Sequence, residues 1–227
     1  MKKAKILLLL GIFSFSAALV PASPAGQYMH SQIQELKGCR NMALSDSYGM
    51  LMLDGGNGFS AYGIPKELAE SLTTLNTDNK AISDICISES GYWYIVGDTL
   101  RGRGAPKFIY DKVAELCATG EHVLCVNFND NGIGIVVTEK SISCNDNEIL
   151  KALVDGGKKY GKLLSVCLRN KGLLAVYEDG FRTVGTVPED LASFLAETDL
   201  EVAYAKFTDN GSWFVGTENQ TCSYVFK

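Results

Sequence analysis

Residues 126–137 read Val126-Asn127-Phe128-Asn129-Asp130-Asn131-Gly132-Ile133-Gly134-Ile135-Val136-Val137, and the reading of this stretch decides the fold. Val126 and Phe128 alternate with polar neighbours, the period-two pattern of a strand with one buried face. Asp130-Asn131-Gly132 suits a tight hairpin, because glycine accepts positive φ without steric cost. Residues 133–137 are apolar on both faces, as in a central strand covered on both sides. Outward from this hairpin the same pattern returns. Gly49, Gly91, Gly132, Gly172 and Gly211 stand 42, 41, 40 and 39 residues apart, each behind a polar pair or triplet and between two apolar runs. A fixed period of this size marks a repeat architecture. In the first repeat Tyr48, not Gly49, fits the glycine register better.

Each repeat continues in the same way. A second turn carries an acid (Asp54, Asp98, Glu139, Asp179 or Glu218), and a weaker third strand follows at 59–62, 101–104, 141–144, 181–184 and 222–226. A helix comes next. Pro65, Pro106 and Pro188 fit a first helical turn, and Asn145 with Glu148 resembles a capping box. Leu68, Leu72 and Leu75, Ile109, Val113 and Leu116, Ile149 and Leu153, and Leu191 and Leu195 keep the helical period, as do Met29, Ile33 and Leu36 ahead of the first strand. The expectation is an α+β chain of five αβββ repeats of about 40 residues, at about 26–63, 64–105, 106–144, 145–185 and 186–227. Neither end reads as a polar capping unit, and an open solenoid exposes apolar flanks without caps. The five repeats are therefore expected to close into a five-bladed, pentein-like α/β propeller, with an open or two-layer stack as the alternative.

The first 25 residues read as a secretory signal peptide: Lys2, Lys3 and Lys5, an apolar core at 6–20, and small residues with two acceptable cleavage sites, Val20-Pro21-Ala22 and Ser23-Pro24-Ala25. The apolar core is short for a membrane span, and nothing after it reads as one. The mature chain is expected to be periplasmic or extracellular. Removing 1–25 takes the 21 basic residues to 18 against 26 acidic ones, a net charge of −8 that disfavours nucleic acid and anionic membrane surfaces. Seven cysteines in an exported chain leave at least one unpaired. Their spacing fits no metal site, and most read as small buried strand residues.

The segment Gly58-Phe59-Ser60-Ala61-Tyr62-Gly63-Ile64-Pro65-Lys66-Glu67-Leu68, preceded by Asn57, resembles a repeat of many exported bacterial proteins, with an Asn-Gly-aromatic strand, a Gly-Ile-Pro turn and a Leu-rich helix. Val187-Pro188-Glu189-Asp190-Leu191 keeps the Pro-x-x-Leu part. That resemblance implies no established activity. In unit count and order the chain is similar to the pentein ring of guanidine-modifying enzymes and a ribosome-associated initiation factor. The enzymes of that group use a late cysteine, a histidine and carboxylates. Cys222 and His122 are the residues in a position to match, but Leu124 stands where the acid after the histidine is needed, and no glycine-rich approach leads to Cys222.

The leading functional expectation is a non-enzymatic exported domain that binds a protein, peptide or glycan partner, with no cofactor and no metal. The alternatives are a pentein-like cysteine hydrolase or transferase with a degenerate site, and a structural module of the cell envelope. Two sets of residues stand out as binding candidates. Arg101, Arg103 and Lys107 form a basic departure from the repeat, fit to hold a carboxylate or phosphate. Asp98, Glu139, Asp179 and Glu218 would share one rim of a closed ring and give it a negative potential. Trp93 and Trp213 occupy equivalent core posts. Tyr92 and Tyr94 face the other way, toward a helix or a ligand.

Overall fold

Five repeats of one helix and three strands make up the computed structural model, which describes residues 23–227. The leader reading of residues 1–22 lies outside the described residues. Unit 1 comprises α1 (Pro24–Leu36), β1 (Asn41–Ser45), β2 (Gly49–Asp54) and β3 (Gly58–Tyr62). Unit 2 comprises α2 (Lys66–Thr77), β4 (Ile82–Ile87), β5 (Trp93–Gly97) and β6 (Arg101–Arg103). Unit 3 comprises α3 (Lys107–Ala118), β7 (Val123–Phe128), β8 (Gly134–Thr138) and β9 (Ile142–Cys144). Unit 4 comprises α4 (Asn147–Tyr160), β10 (Leu163–Leu168), β11 (Gly172–Tyr177) and β12 (Gly180–Gly185). Unit 5 comprises α5 (Glu189–Glu197), β13 (Tyr204–Phe207), β14 (Trp213–Gly216) and β15 (Cys222–Val225).

Each unit is its own three-stranded antiparallel sheet in the order first, second, third strand, and no ladder joins one sheet to another among the described residues. Side-chain packing joins them instead. The first strands touch in the order β1, β4, β7, β10, β13, and β13 also touches β1. The helices cover the joints. Leu68, Leu72 and Leu75 of α2 lie between Leu51 and Leu53 of unit 1 and Ile85 and Ile95 of unit 2. Met29 and Ile33 of α1 lie in the same way between Met42 and Met50 of unit 1 and Phe214 and Phe226 of unit 5. The apolar stripe of such a helix is therefore buried on two sheets at once, so each unit relies on its neighbour to cover apolar surface. Leu36 leaves the stripe and is exposed.

The hairpins differ by single residues. The N–H groups of Ser88, Asn129 and Thr208 donate to the C=O groups of Tyr92, Ile133 and Ser212 across three-residue loops, and their own C=O groups accept from Gly91, Gly132 and Gly211, which are at positive φ. In unit 1 Ser45 pairs with Gly49, so Tyr48 stands in the register of Gly91, while Gly49 supplies the positive φ one residue later. Unit 4 departs from the expected glycine turn. Arg169 N–H donates to Gly172 C=O across only Asn170 and Lys171, so Gly172 is a strand residue and not the turn glycine. A Cβ on Gly172 would still lie 2.1 Å from the Thr186 carbonyl oxygen, which is reason enough for glycine there.

Two helix starts also differ from expectation. Asp146, not Asn145, caps α4, accepting from the N–H groups of Glu148 and Ile149, and Asn145 bonds Gly134 instead. Residues 23–25, expected to precede the domain, begin α1: Ser23 Oγ accepts from Gly26 N–H, and Ala25 is buried.

Candidate functional site

The first strands turn a column of polar side chains toward a common centre. Lys206 Nζ lies 2.9 Å from Asp84 Oδ1, and Asn41 Nδ2 donates to the same oxygen at 2.9 Å. Asn127 donates to Val166 C=O and accepts from Leu168 N–H. Arg169 donates to Phe207 C=O at 2.7 Å and, across the centre, to Ile87 C=O at 2.8 Å. All these groups are buried. Burial acts to discharge Lys206, but the adjacent Asp84 carboxylate outweighs it and holds the ammonium charged. The centre therefore contains paired charges from units 2, 4 and 5, Lys206 with Asp84 and Arg169 with Glu89 at 3.6 Å. It fixes the relative positions of the units.

At the hairpin tips a second pattern runs from unit to unit. Glu89 of unit 2 accepts from the backbone N–H groups of Asp46 and Ser47 and from Ser45 Oγ of unit 1. Asp130 of unit 3 accepts from the N–H groups of Glu89 and Ser90 of unit 2. Asn170 of unit 4 accepts from Asp130 N–H, and Asp46 of unit 1 accepts from Asn210 N–H of unit 5 at 2.9 Å. The equivalent post in unit 5 is Asp209, whose buried Oδ1 receives no hydrogen bond. The unit that should donate to it is unit 4, whose loop is one residue short. Beside this gap is a cavity of about 440 Å³ lined by Lys171, Glu189, Asp190, Asp209, Asn210 and Lys227, among others.

The same end of the molecule carries exposed aromatic surface over units 1 and 2. Tyr28, Tyr48, Tyr62 and Tyr92 are all at least one third exposed. The Tyr28 and Tyr62 rings lie 5.7 Å apart at 40°. The Tyr48 ring covers Gly91, and the Tyr92 ring covers Gly104, which leaves no room for a Cβ at either glycine. Tyr94 turns inward as one of the two expected fates, its ring 6.0 Å from Tyr110 of α3, and Trp93 and Trp213 are buried.

The residues singled out by sequence do not form one site. Arg101 and Arg103 are in β6, Arg103 opposite Trp93 at the tip end and Arg101 opposite Ile95 in mid-strand. Arg103 pairs with Glu67 of α2, whose carboxyl is held below its ordinary pKa first by its own backbone N–H and next by the guanidinium. Lys107 pairs with Asp111 on its own helix. Asp98, Glu139, Asp179 and Glu218 follow the second strands, so they lie at the opposite end from the tips. Asp98 accepts from Ala81 N–H and Glu218 from the Tyr204 hydroxyl, both within their own units. Another cavity, of about 460 Å³, opens at that end beside Glu139, Lys140, Lys158 and Lys162.

Cys222 and His122 are not brought together. His122 is exposed ahead of β7, and no hydrogen bond joins it to Cys222 among the described residues. Burial raises the Cys222 pKa, the reverse of what a nucleophile needs. The histidine near β15 is His30 of α1, whose Nδ1 lies 2.8 Å from the Tyr224 hydroxyl, a contact that no spacing in the sequence announces. No group of three or more His, Cys, Asp or Glu side chains among the described residues is arranged to hold a metal ion. No helix there is long and apolar enough to cross a membrane.

No family model matches the chain, and no curated protein does. Among solved structures it is similar to "YCF48 bound to D1 peptide", at 12% identity over 82% of this chain and 62% of that one, with a TM-score of 0.29. It is also similar to "YCF48 from Cyanidioschyzon merolae", at 15% identity over 84% of this chain and 71% of that one, with a TM-score of 0.30. The chain thus spans less than two thirds of the length of the first of these neighbours.

Proposed function

We propose that this chain is an exported, non-enzymatic repeat domain, closed as a pentein-like five-bladed ring, that binds a polypeptide partner with its hairpin-tip end. The observation that carries this reading is Asp209. Among the described residues it is the carboxylate of the tip series without a donor, and it lines a cavity that Lys171 and Lys227 also line, Lys227 with its ammonium 3.9 Å from Asp190. An unsatisfied buried acceptor is costly unless something fills it. A peptide group supplies the missing N–H to Asp209 and offers its carbonyl to a lysine. The exposed tyrosines of units 1 and 2 add apolar contact area with a polar edge, a combination favoured in polypeptide recognition. The Tyr28 and Tyr62 rings are tilted, not the flat platform on which a sugar stacks. The contact of β13 with β1 and the place of α1 between units 5 and 1 support ring closure.

The test compares the two ends. Asp209→Lys, Tyr48→Ala with Tyr92→Ala, and Arg103→Glu alter the tip end. Glu139→Lys with Asp179→Lys alters the opposite end. A partner cross-linked to the wild-type chain in envelope extract is expected to be lost from the tip variants and kept by the opposite-end variant. The reverse pattern would place the binding surface on the acidic rim instead.

A further inference from the structure

Four of the five joints between units are crossed by the polypeptide chain itself. Among the described residues the joint between unit 5 and unit 1 is held by packing and hydrogen bonds, and two cysteines meet there. Cys39 follows α1, and its backbone N–H donates to Gln220 C=O at 3.1 Å, two residues before Cys222. Gly38 approaches the same carbonyl so closely that a Cβ would lie 2.6 Å from it, so the two segments are in tight contact. Cys39 and Cys222 belong to one apolar cluster with Met29, Phe214 and Phe226. Both are free thiols in the structure.

We infer that Cys39 and Cys222 form a disulfide that clamps unit 5 to unit 1 once the chain reaches an oxidising compartment. This inference is independent of which end binds a partner. Electrostatics agrees with the proximity. Burial raises the Cys39 thiol first and the sulfur of Cys222 raises it further, while the Cys39 backbone N–H acts on Cys222 in the opposite sense. The chemistry is thiol–disulfide exchange with a disulfide donor, either a small-molecule disulfide or an oxidised dithiol protein. A thiolate attacks the donor disulfide and expels one thiol. The second cysteine then displaces the other half of the donor. Two protein thiols lose two protons and two electrons, one S–S bond forms, and the donor leaves as two thiols. Cys222 is partly exposed and Cys39 fully buried, so Cys222 is the thiol a disulfide donor reaches, reacting slowly because burial raises its pKa, and Cys39 resolves the mixed disulfide. Cys117 is exposed on α3, and Cys86, Cys125 and Cys167 are buried in other units.

The test uses the purified full chain held in a buffer of reduced and oxidised glutathione, quenched with acid, alkylated under denaturing conditions and digested for mass spectrometry. The expected result is a peptide linking Cys39 to Cys222, with the remaining cysteines recovered as alkylated thiols. Cys117→Ser leaves the link intact, and Cys39→Ser or Cys222→Ser abolishes it. Oxidation is also expected to raise the urea midpoint of the wild type and not of Cys222→Ser. Glutathione held on Cys222 with Cys39 alkylated, or a link formed by other cysteines while these two are alkylated, overturns the pairing. A Cys39–Cys222 link without a higher midpoint overturns the clamp.

Discussion

The Lys206 ammonium lies 2.9 Å from the Asp84 carboxylate, joining the fifth unit to the second across the centre of the molecule. Removing one partner strands a buried charge, which costs about 3–5 kcal/mol, whereas replacing both with apolar groups is often close to neutral. Lys206→Met is therefore expected to destabilise the chain by about 3–5 kcal/mol in urea unfolding, and Asp84→Leu with Lys206→Met by much less. Because Asn41 also donates to Asp84, the double variant keeps a residual cost from the unpaired amide. Equal losses in the single and double variants would show that the pair does not act as a unit.

The tip carboxylates have unequal roles. Glu89 accepts from two backbone N–H groups and a hydroxyl of the preceding unit, and Asp209 accepts from none. Glu89→Ala also strands the buried Arg169 guanidinium 3.6 Å away and is expected to cost about 3–5 kcal/mol, whereas Asp209→Ala removes an unsatisfied acceptor and is expected to cost nothing or to stabilise the chain. Thermal unfolding of the two variants checks this. A large loss at Asp209 would mean that it is a structural post like the others.

The tips also carry a pH dependence. Burial acts to raise the Asp130 pKa, but hydrogen bonds from Ser88, Ser90 and Asn170 outweigh it and hold it below its ordinary value of 3.8. A carboxylate depressed in the folded state stabilises fully above its unfolded pKa and loses that contribution as pH falls through the folded one. Stability is thus expected to fall as pH drops below about 4, and Asp130→Asn to flatten that fall. Urea midpoints measured at neutral and acid pH for both chains decide it. Parallel profiles would remove Asp130 from the account.

The start of the folded chain is predicted as well. Cleavage after Ala22 keeps the Ser23 cap and the buried Ala25 of α1, and cleavage after Ala25 removes both. Loss of a side-chain cap costs about 1 kcal/mol. If the chain is exported and cleaved as proposed, the mass of the processed chain is expected to correspond to a start at Ser23. A start at Gly26 would contradict this.

The repeat was legible because period-two strands, glycine turns and helical stripes are local patterns. The posts of Trp93 and Trp213 and the Tyr48 register followed from the same periodicity. The pairing of Lys206 with Asp84 was not legible, because the partners are 122 residues apart and meet only where the first strands of different units face one another. The interrupted tip series was hidden for another reason. Gly172 preserves the spacing of the turn glycines although it lies in a strand, which conceals the short loop of unit 4. The acidic residues after the second strands were correctly seen as repeated, but a repeated position is not a shared task. Asp98 and Glu218 bond within their own units.

The account depends on the five tips forming one continuous end, with unit 5 beside unit 1. Spin labels on the exposed Ser47 and Asn210 report this directly when compared with labels on Ser47 and Asn131. Asn210 N–H bonds Asp46 next to Ser47, whereas unit 3 is separated from unit 1 by unit 2. The predicted result is a shorter distance for the 47–210 pair than for the 47–131 pair. A longer 47–210 distance, as in an open stack with the first and last units farthest apart, would contradict the account.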